Sequence, residues 1–119
     1  MMTMERSKEM QNCMDECCSC MTMCNETMMA CMKSDMKMSA EMMCMMQDCS
    51  DMCDMAMKCM MRMSPMSPKM CGMCAEICMS SATMCEKMAM GNEMMMRCAE
   101  MCKRCAESCS MMSKMSMAA

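Results

Sequence analysis

The most informative feature of this sequence is what it lacks. It has no Leu, Val, Phe, Tyr, Trp or His, and Ile77 is its single isoleucine. Leucine is normally among the commonest residues, so we interpret the composition as that of an engineered or Met-enriched sequence. Without aromatic residues the chain has no platform on which nucleic-acid bases could stack. Without histidine it lacks the most frequent general base of catalysis, so we expect neither nucleic-acid binding nor an enzyme.

Basic patches and long apolar runs are also absent. Twelve Lys and Arg against 15 Asp and Glu give a net charge of −3, which offers little attraction to a phosphate backbone. The longest uncharged runs have nine residues, as in 17–25 and 77–85, whereas a transmembrane helix needs about 20. Charged residues near the N-terminus interrupt any apolar region of a signal peptide. We therefore expect a cytoplasmic protein that does not bind membranes.

Sulfur takes the place of the missing residue types. Of the 119 residues, 37 are Met and 18 are Cys. In a secreted protein this cysteine content would predict a disulfide framework, but cytosolic thiols stay reduced. The cysteines therefore predict metal binding. Methionine is a flexible side chain and a good helix former, so a core rich in it should be adaptable.

Turn signals divide the chain into four helical segments. No alternation of β-branched residues predicts a strand. Four helices joined by short turns predict an all-α fold, an antiparallel four-helix bundle with a Cys-lined core, as one domain over residues 1–119. The expected helices span about 6–32, 36–63, 68–90 and 93–114.

Small polar residues predict where three of these helices begin. Either Ser34 or Asp35 can cap the second helix by accepting a backbone hydrogen bond. Ser67 is expected to cap the third helix, with Pro68 at its first position. Asn92 is expected to cap the fourth.

Most of the cysteines recur at helical spacing. An α-helix turns about 100° per residue, so residues three, four or seven apart share one face. We predict that fifteen cysteines form four inward stripes that bind metal: Cys13, Cys17, Cys20, Cys24, Cys31, Cys49, Cys53, Cys71, Cys74, Cys78, Cys85, Cys98, Cys102, Cys105 and Cys109. Cys18 and Cys44 point away from the stripes and Cys59 lies at the edge of its own, so these three are doubtful ligands, as are Met94 and Met96.

The type and spacing of these ligands favour Cu(I). Thiolate and thioether ligands select Cu(I), Zn and Fe–S clusters. Zinc usually requires four ligands, whereas helices with a cysteine at nearly every turn supply pairs, which suit two-coordinate Cu(I). Two alternatives stay open: a metallothionein-like bundle that sequesters Zn or Cd, and a designed helical scaffold in which Cys and Met only fill the core.

Several segments resemble the cytosolic copper storage proteins, a family of Cys-lined four-helix bundles. The resemblance covers about residues 13–112 and is strongest in residues 71–78, which read CGMCAEIC, and in 98–112. Residues 48–53, DCSDMC, and the linker 63–65 add to it. The resemblance implies a tube of thiolates that binds many Cu(I) ions, and bundles that assemble into homo-oligomers.

The resemblance carries the role of copper ligand to all the stripe cysteines except Cys31. The chain also departs from the family pattern, because Ser81, Met42 and Met95 stand where family members often have Cys. The segment 88–96 is rich in Met where the family is rich in His. These methionines are either replacement soft ligands at the bundle mouth or apolar filler.

Overall fold

Four α-helices make up most of the chain that a computed structural model describes, residues 7–34 and 38–115. The helices are α1 Lys8–Lys33, α2 Ala40–Met61, α3 Ser67–Met88 and α4 Glu93–Ser113. The described ranges contain no strand, so the predicted all-α fold is confirmed. The predicted starts of the first two helices, residues 6 and 36, lie outside these ranges.

The helices form a ring in which each packs against its two neighbours in sequence, and α4 closes the ring on α1. Contacts between side chains give their directions. Cys13, near the start of α1, meets Cys109, near the end of α4, and Ser50 in α2 bonds to Asn25 in the second half of α1. Neighbouring helices are therefore antiparallel, as predicted, and the bundle is an elongated body of about 55 × 23 × 21 Å.

The second helix begins later than the sequence predicted. Ser39 caps it by accepting a hydrogen bond from the backbone N–H of Met42 at 3.1 Å. Ser34 instead follows the last residue of α1, where its hydroxyl donates to the carbonyl of Cys31 at 3.3 Å. The assignment of Ser34 as the cap was wrong, because its hydroxyl is held by the preceding helix. The alternative cap, Asp35, lies outside the described residues.

The third helix begins one residue earlier than predicted. The backbone N–H of Ser67 donates to the carbonyl of Ser64 at 3.0 Å, which winds the chain into helix before Pro68 is reached. Met66 is therefore the N-cap and has no side-chain cap bond. Ser67 is fully buried and its hydroxyl has no hydrogen-bond partner, so its predicted role as N-cap was wrong.

The fourth helix begins as predicted. The side-chain oxygen of Asn92 accepts a hydrogen bond from the backbone N–H of Met95 at 2.9 Å. This cap fixes the first turn of α4 directly before its cysteine stripe begins at Cys98.

The core consists of cysteine, methionine and alanine side chains. Among the described residues the buried polar side chains are four hydroxyls and no charged group: Thr27, Ser50, Ser67 and Ser81. Buried methionines occupy both ends of the core: Met10, Met60 and Met112 at the end where α1 begins, and Met42, Met46 and Met95 at the opposite end. No helix within the described ranges has an apolar stretch long enough to cross a bilayer.

Two serine substitutions should separate a useful hydroxyl from an unsatisfied one. Ser39→Ala removes the N-cap bond of α2 and should lower the free energy of unfolding by about 1 kcal/mol. Ser67→Ala removes a buried hydroxyl that has no partner, so it should leave stability unchanged or raise it. Urea unfolding of the reduced apoprotein, followed by circular dichroism, measures both. A larger loss for Ser67→Ala than for Ser39→Ala would contradict this account.

Candidate metal centre

The structure buries every cysteine of the four predicted stripes. The most accessible of the fifteen, Cys31, is 6% exposed. Cys18 and Cys44 are exposed, as their angular positions predicted. Cys59 is buried at 3% exposure, but its sulfur lies 3.8 Å from a guanidinium nitrogen of Arg62, away from the other thiols. All cysteines of the described residues are free thiols, so the inward orientation of the stripes is confirmed.

The buried sulfur atoms form one continuous column along the bundle axis. Neighbouring sulfurs in it are 3.6–4.0 Å apart. One unbroken path runs through Cys13, Cys109, Cys17, Cys105, Cys53, Cys78, Cys49, Cys102, Cys24 and Cys98. We call this set, with the remaining stripe cysteines, the thiol column.

Within the column, twelve thiols fall into compact groups whose sulfurs all lie within 4.8 Å of one another. The lower quartet is Cys17, Cys74, Cys105 and Cys109. The upper quartet is Cys20, Cys24, Cys49 and Cys102. The middle quartet is Cys20, Cys53, Cys78 and Cys105, and the basal triad, near the start of α1, is Cys13, Cys71 and Cys109.

The second helix contributes least to the column, and its sequence explains why. Only Cys49 and Cys53 of α2 belong to the stripes, and the positions one turn beyond them on the same face are Met46 and Ala56, both buried. The third helix has a gap as well, at Ser81. The Ser81 hydroxyl fills this gap by accepting a hydrogen bond from the Cys102 thiol at 3.7 Å, so the column contains no unpaired polar group at that level.

A pocket opens at the end of the bundle opposite the basal triad. It has a volume of about 180 Å³ and leads to the outermost stripe thiol. We call it the mouth; it is lined by Cys31, Met38, Ser39, Met42, Met88, Met90 and Met95. One thiol and five thioethers thus surround the space where the column meets solvent.

Three methionines of the segment 88–96 line the mouth, namely Met88, Met90 and Met95, whereas the doubtful ligands Met94 and Met96 do not. Met94 is half-buried, and Met96 is 43% exposed on a surface groove beside Arg97. Met95, between them, is buried and lines the mouth together with Met42. Stripe spacing could have identified both residues, because Met95 lies three residues before a stripe cysteine and Met42 seven before one.

Hydrogen bonds between neighbouring thiols raise the pKa of some and lower the pKa of others. The contact between the Cys105 and Cys109 thiols, 4.0 Å long, lowers the pKa of Cys109 and raises the pKa of Cys105. Hydrogen bonds from Cys20 and then Cys24 lower the pKa of Cys102 to about 5. At the mouth, burial first and the nearby Cys85 second raise the pKa of Cys31. The column therefore stabilises a few thiolates by means of neighbours that stay protonated.

The surroundings of the column limit how many thiols can ionise without a metal. No basic side chain is buried among the described residues, and a buried anion without a partner is strongly disfavoured. Only cations that enter the column can balance further thiolates. A set of soft, closely spaced and uncompensated ligands is the arrangement expected of a site for thiophilic metal ions.

Comparison with known proteins agrees with this geometry. The sequence profile described as copper storage protein matches residues 6–114, and the chain belongs to this family. Among curated proteins, an uncharacterised cysteine-rich protein of Bacillus subtilis, YhjQ, is 32% identical over 68 residues, which are 56% of this chain. That match spans 62% of the length of YhjQ.

Three solved structures share the fold. The Cu(I)-bound copper storage protein BsCsp3 is 28% identical, with a TM-score of 0.81 over 89% of this chain and 99% of that one. The apo form of copper storage protein 3 from Bacillus subtilis is 31% identical, with a TM-score of 0.79 over 87% and 97%. The Nmul_A1745 protein of Nitrosospira multiformis is 32% identical, with a TM-score of 0.81 over 89% and 95%.

The pKa shifts of the column thiols predict how the stability of the apoprotein depends on pH. Nine column thiols have a raised pKa in the folded chain: Cys17, Cys20, Cys24, Cys31, Cys53, Cys71, Cys78, Cys98 and Cys105. Four have a lowered pKa: Cys49, Cys74, Cys102 and Cys109. A thiol with a raised pKa stabilises the fold fully below its unfolded pKa, about 8.5, and this contribution is lost as the pH rises above that value.

More thiols have a raised pKa than a lowered one. The melting temperature of the reduced apoprotein should therefore fall as the pH rises from 8 towards 10. Thiols with a lowered pKa act in the opposite sense but are fewer. Thermal melts under anaerobic conditions measure the trend, and Cys18→Ser, which removes an exposed thiol outside the column, is the control. A melting temperature that stays constant over this pH range would contradict the raised pKa values of most column thiols.

Proposed function

We propose that this chain binds and stores many Cu(I) ions on the thiolates of its column, without turnover. Cu(I) is its cofactor in the sense of a stored cargo, and copper ions are its main partners. The proposed ligands are the fifteen stripe cysteines; the exposed Cys18 and Cys44 and the isolated Cys59 stay outside the set, and Met94 and Met96 are not included.

The observation that carries this function is the continuity of the thiol column. Along the path from Cys13 to Cys98 each sulfur lies 3.6–4.0 Å from the next, so each of these thiols has a neighbour with which it can share an ion. Soft thiolates favour Cu(I). Each Cu(I) also brings one positive charge, so a filled column with equal numbers of ions and thiolates is neutral. Neutrality matters because the core supplies no positive charge of its own.

The mouth is the proposed entrance. Its thioethers bind Cu(I) without having to lose a proton, and Cys31 is the first thiol that an incoming ion meets. From Cys31 the ion passes to Cys85 and Cys98, deeper in the stripes. At the other end Met10, Met60 and Met112 are buried, so entry there requires side chains to move.

Membership of the copper storage family and the fold shared with a Cu(I)-bound relative support this function. We also propose that the protein works in the cytoplasm, where thiols stay reduced. It binds neither membranes nor nucleic acid, and the family resemblance favours a homo-oligomer of bundles.

Anaerobic titration of the reduced protein with Cu(I), against a competing chelator, should give a load well above four ions per chain. Fifteen thiolates at two per ion give about seven sites, and sharing of thiolates raises that number. The apparent affinity should fall as the pH falls, because each ligand must lose a proton. A load of one or two ions would contradict storage.

Cysteine variants should show that the load depends on the column. The double variant Cys18→Ser, Cys44→Ser should keep nearly the full load, because both thiols are exposed. The double variant Cys102→Ser, Cys105→Ser should lower it, because each of these sulfurs lies within 4.0 Å of several column thiols. Equal losses in both variants would show that an adaptable, partly unfolded chain holds the metal.

A further inference from the structure

We propose that the column also contains two tetrahedral sites for divalent thiophilic cations, such as Zn(II) or Cd(II), formed by the lower and upper quartets. These sites go beyond Cu(I) storage, because they bind a different class of ion in a fixed number. They use four thiolates for each ion instead of sharing thiolates along the column.

The spacing of the sulfurs carries this inference. A tetrahedral zinc–thiolate centre has metal–sulfur bonds of about 2.3 Å, which requires sulfurs about 3.8 Å apart. In the upper quartet four sulfur pairs measure 3.7, 3.9, 4.0 and 4.0 Å. In the lower quartet three pairs measure 3.6, 3.8 and 4.0 Å. The remaining pairs lie within 4.8 Å, so small side-chain rotations complete both tetrahedra.

The number of sites follows from which quartets share thiols. The lower and upper quartets have no cysteine in common. The middle quartet takes Cys20 from the upper quartet and Cys105 from the lower one, so it cannot be filled while they are filled. Two is therefore the number of tetrathiolate sites that can be occupied together.

The charge of the filled sites explains why divalent binding stops at two ions. Each site forms when the four cysteines of a quartet, having lost their protons to solvent, bind one M²⁺ as thiolates, which leaves a centre of net charge −2. Thiols outside the two quartets lie close enough to donate S–H hydrogen bonds to these centres: Cys13 to Cys109 at 3.6 Å, Cys53 to Cys105 at 3.8 Å and Cys98 to Cys24 at 3.9 Å. Cys49 donates to Cys78 at 3.6 Å in the apoprotein, and once Cys49 has lost its proton Cys78 can donate to it instead. These donors offset part of the charge and stay protonated while they do so.

Co(II) is the probe, because tetrahedral tetrathiolate Co(II) has intense visible bands and a sulfur-to-metal charge-transfer band whose intensity rises with the number of thiolates. Anaerobic titration of the reduced full chain with CoCl₂ should saturate the tetrathiolate spectrum at two equivalents, with release of the protons that the quartet thiols still carry. Saturation at any other number, or a spectrum without tetrahedral bands, would overturn the proposal.

Three double variants remove equal numbers of column thiols but affect the quartets differently. Cys53→Ser, Cys78→Ser leaves the lower and upper quartets whole, and the serine hydroxyls can still donate to them, so this variant should keep two sites. Cys20→Ser, Cys105→Ser breaks all three quartets and should abolish both sites.

The third double variant, Cys49→Ser, Cys74→Ser, breaks the lower and upper quartets and spares the middle one, so it should keep a single site. In the variant with every quartet broken, residual Co(II) on the basal triad would have three thiolates and weaker charge transfer, which also supports the proposal. Equal Co(II) capacity in the three variants would refute it.

Circular dichroism of each variant confirms that the bundle is folded, and a Cu(I) titration of the same samples separates the two functions. Since every variant loses two column thiols, all three should lose Cu(I) capacity to the same extent. Loss of Cu(I) storage in the unsubstituted chain would count against the proposed function alone, and loss of the two-site Co(II) pattern would count against this inference alone.

Discussion

The burial of many thiols in a core without a balancing charge is the constraint on which the rest of this structure depends. A thiolate in the column loses its hydration, and no Lys or Arg is buried among the described residues to balance it. Most of the thiols must therefore be neutral in the apoprotein, and the few thiolates, such as that of Cys102, are stabilised by S–H donors. The apoprotein is a bundle held mainly by neutral sulfur contacts, and the ions that enter replace protons. Folding and metal binding are consequently linked.

Four long helices are well suited to holding such a column. An α-helix can place a thiol on its inner face every three or four residues, at steps of about 1.5 Å per residue along the axis. The antiparallel arrangement brings sulfurs from diagonally opposite helices within reach of each other, as at Cys49 and Cys102, 4.0 Å apart. Cysteine is small, so the helices can approach closely there. The larger Met side chains fill the ends of the core, where the stripes run out.

The sequence was sufficient to predict the bundle and the inward cysteines, because both depend on periodicity within single helices. The angular rule separated Cys18 and Cys44 from their buried neighbours correctly. The caps of α2 and α3 were mistaken, because the outcome depends on local hydrogen bonds such as that from Ser67 to Ser64. The quartets could not be predicted at all. They depend on the axial offset between helices, which is set by packing and by turn geometry and leaves no trace in the spacing along one helix.

The geometry of the quartets favours divalent ions, whereas the charge balance of the column favours Cu(I). This difference gives one set of ligands a way to discriminate between the two classes of ion. The quartets match the tetrahedral preference of divalent ions, but each such ion leaves two uncompensated negative charges in an apolar core. Cu(I) requires fewer ligands per ion and adds one positive charge for each thiolate, so successive ions make the column more nearly neutral. Divalent binding therefore becomes harder with each ion, whereas Cu(I) binding can continue along the whole column. High capacity for Cu(I) follows from the absence of basic residues in the core as much as from the number of its thiols.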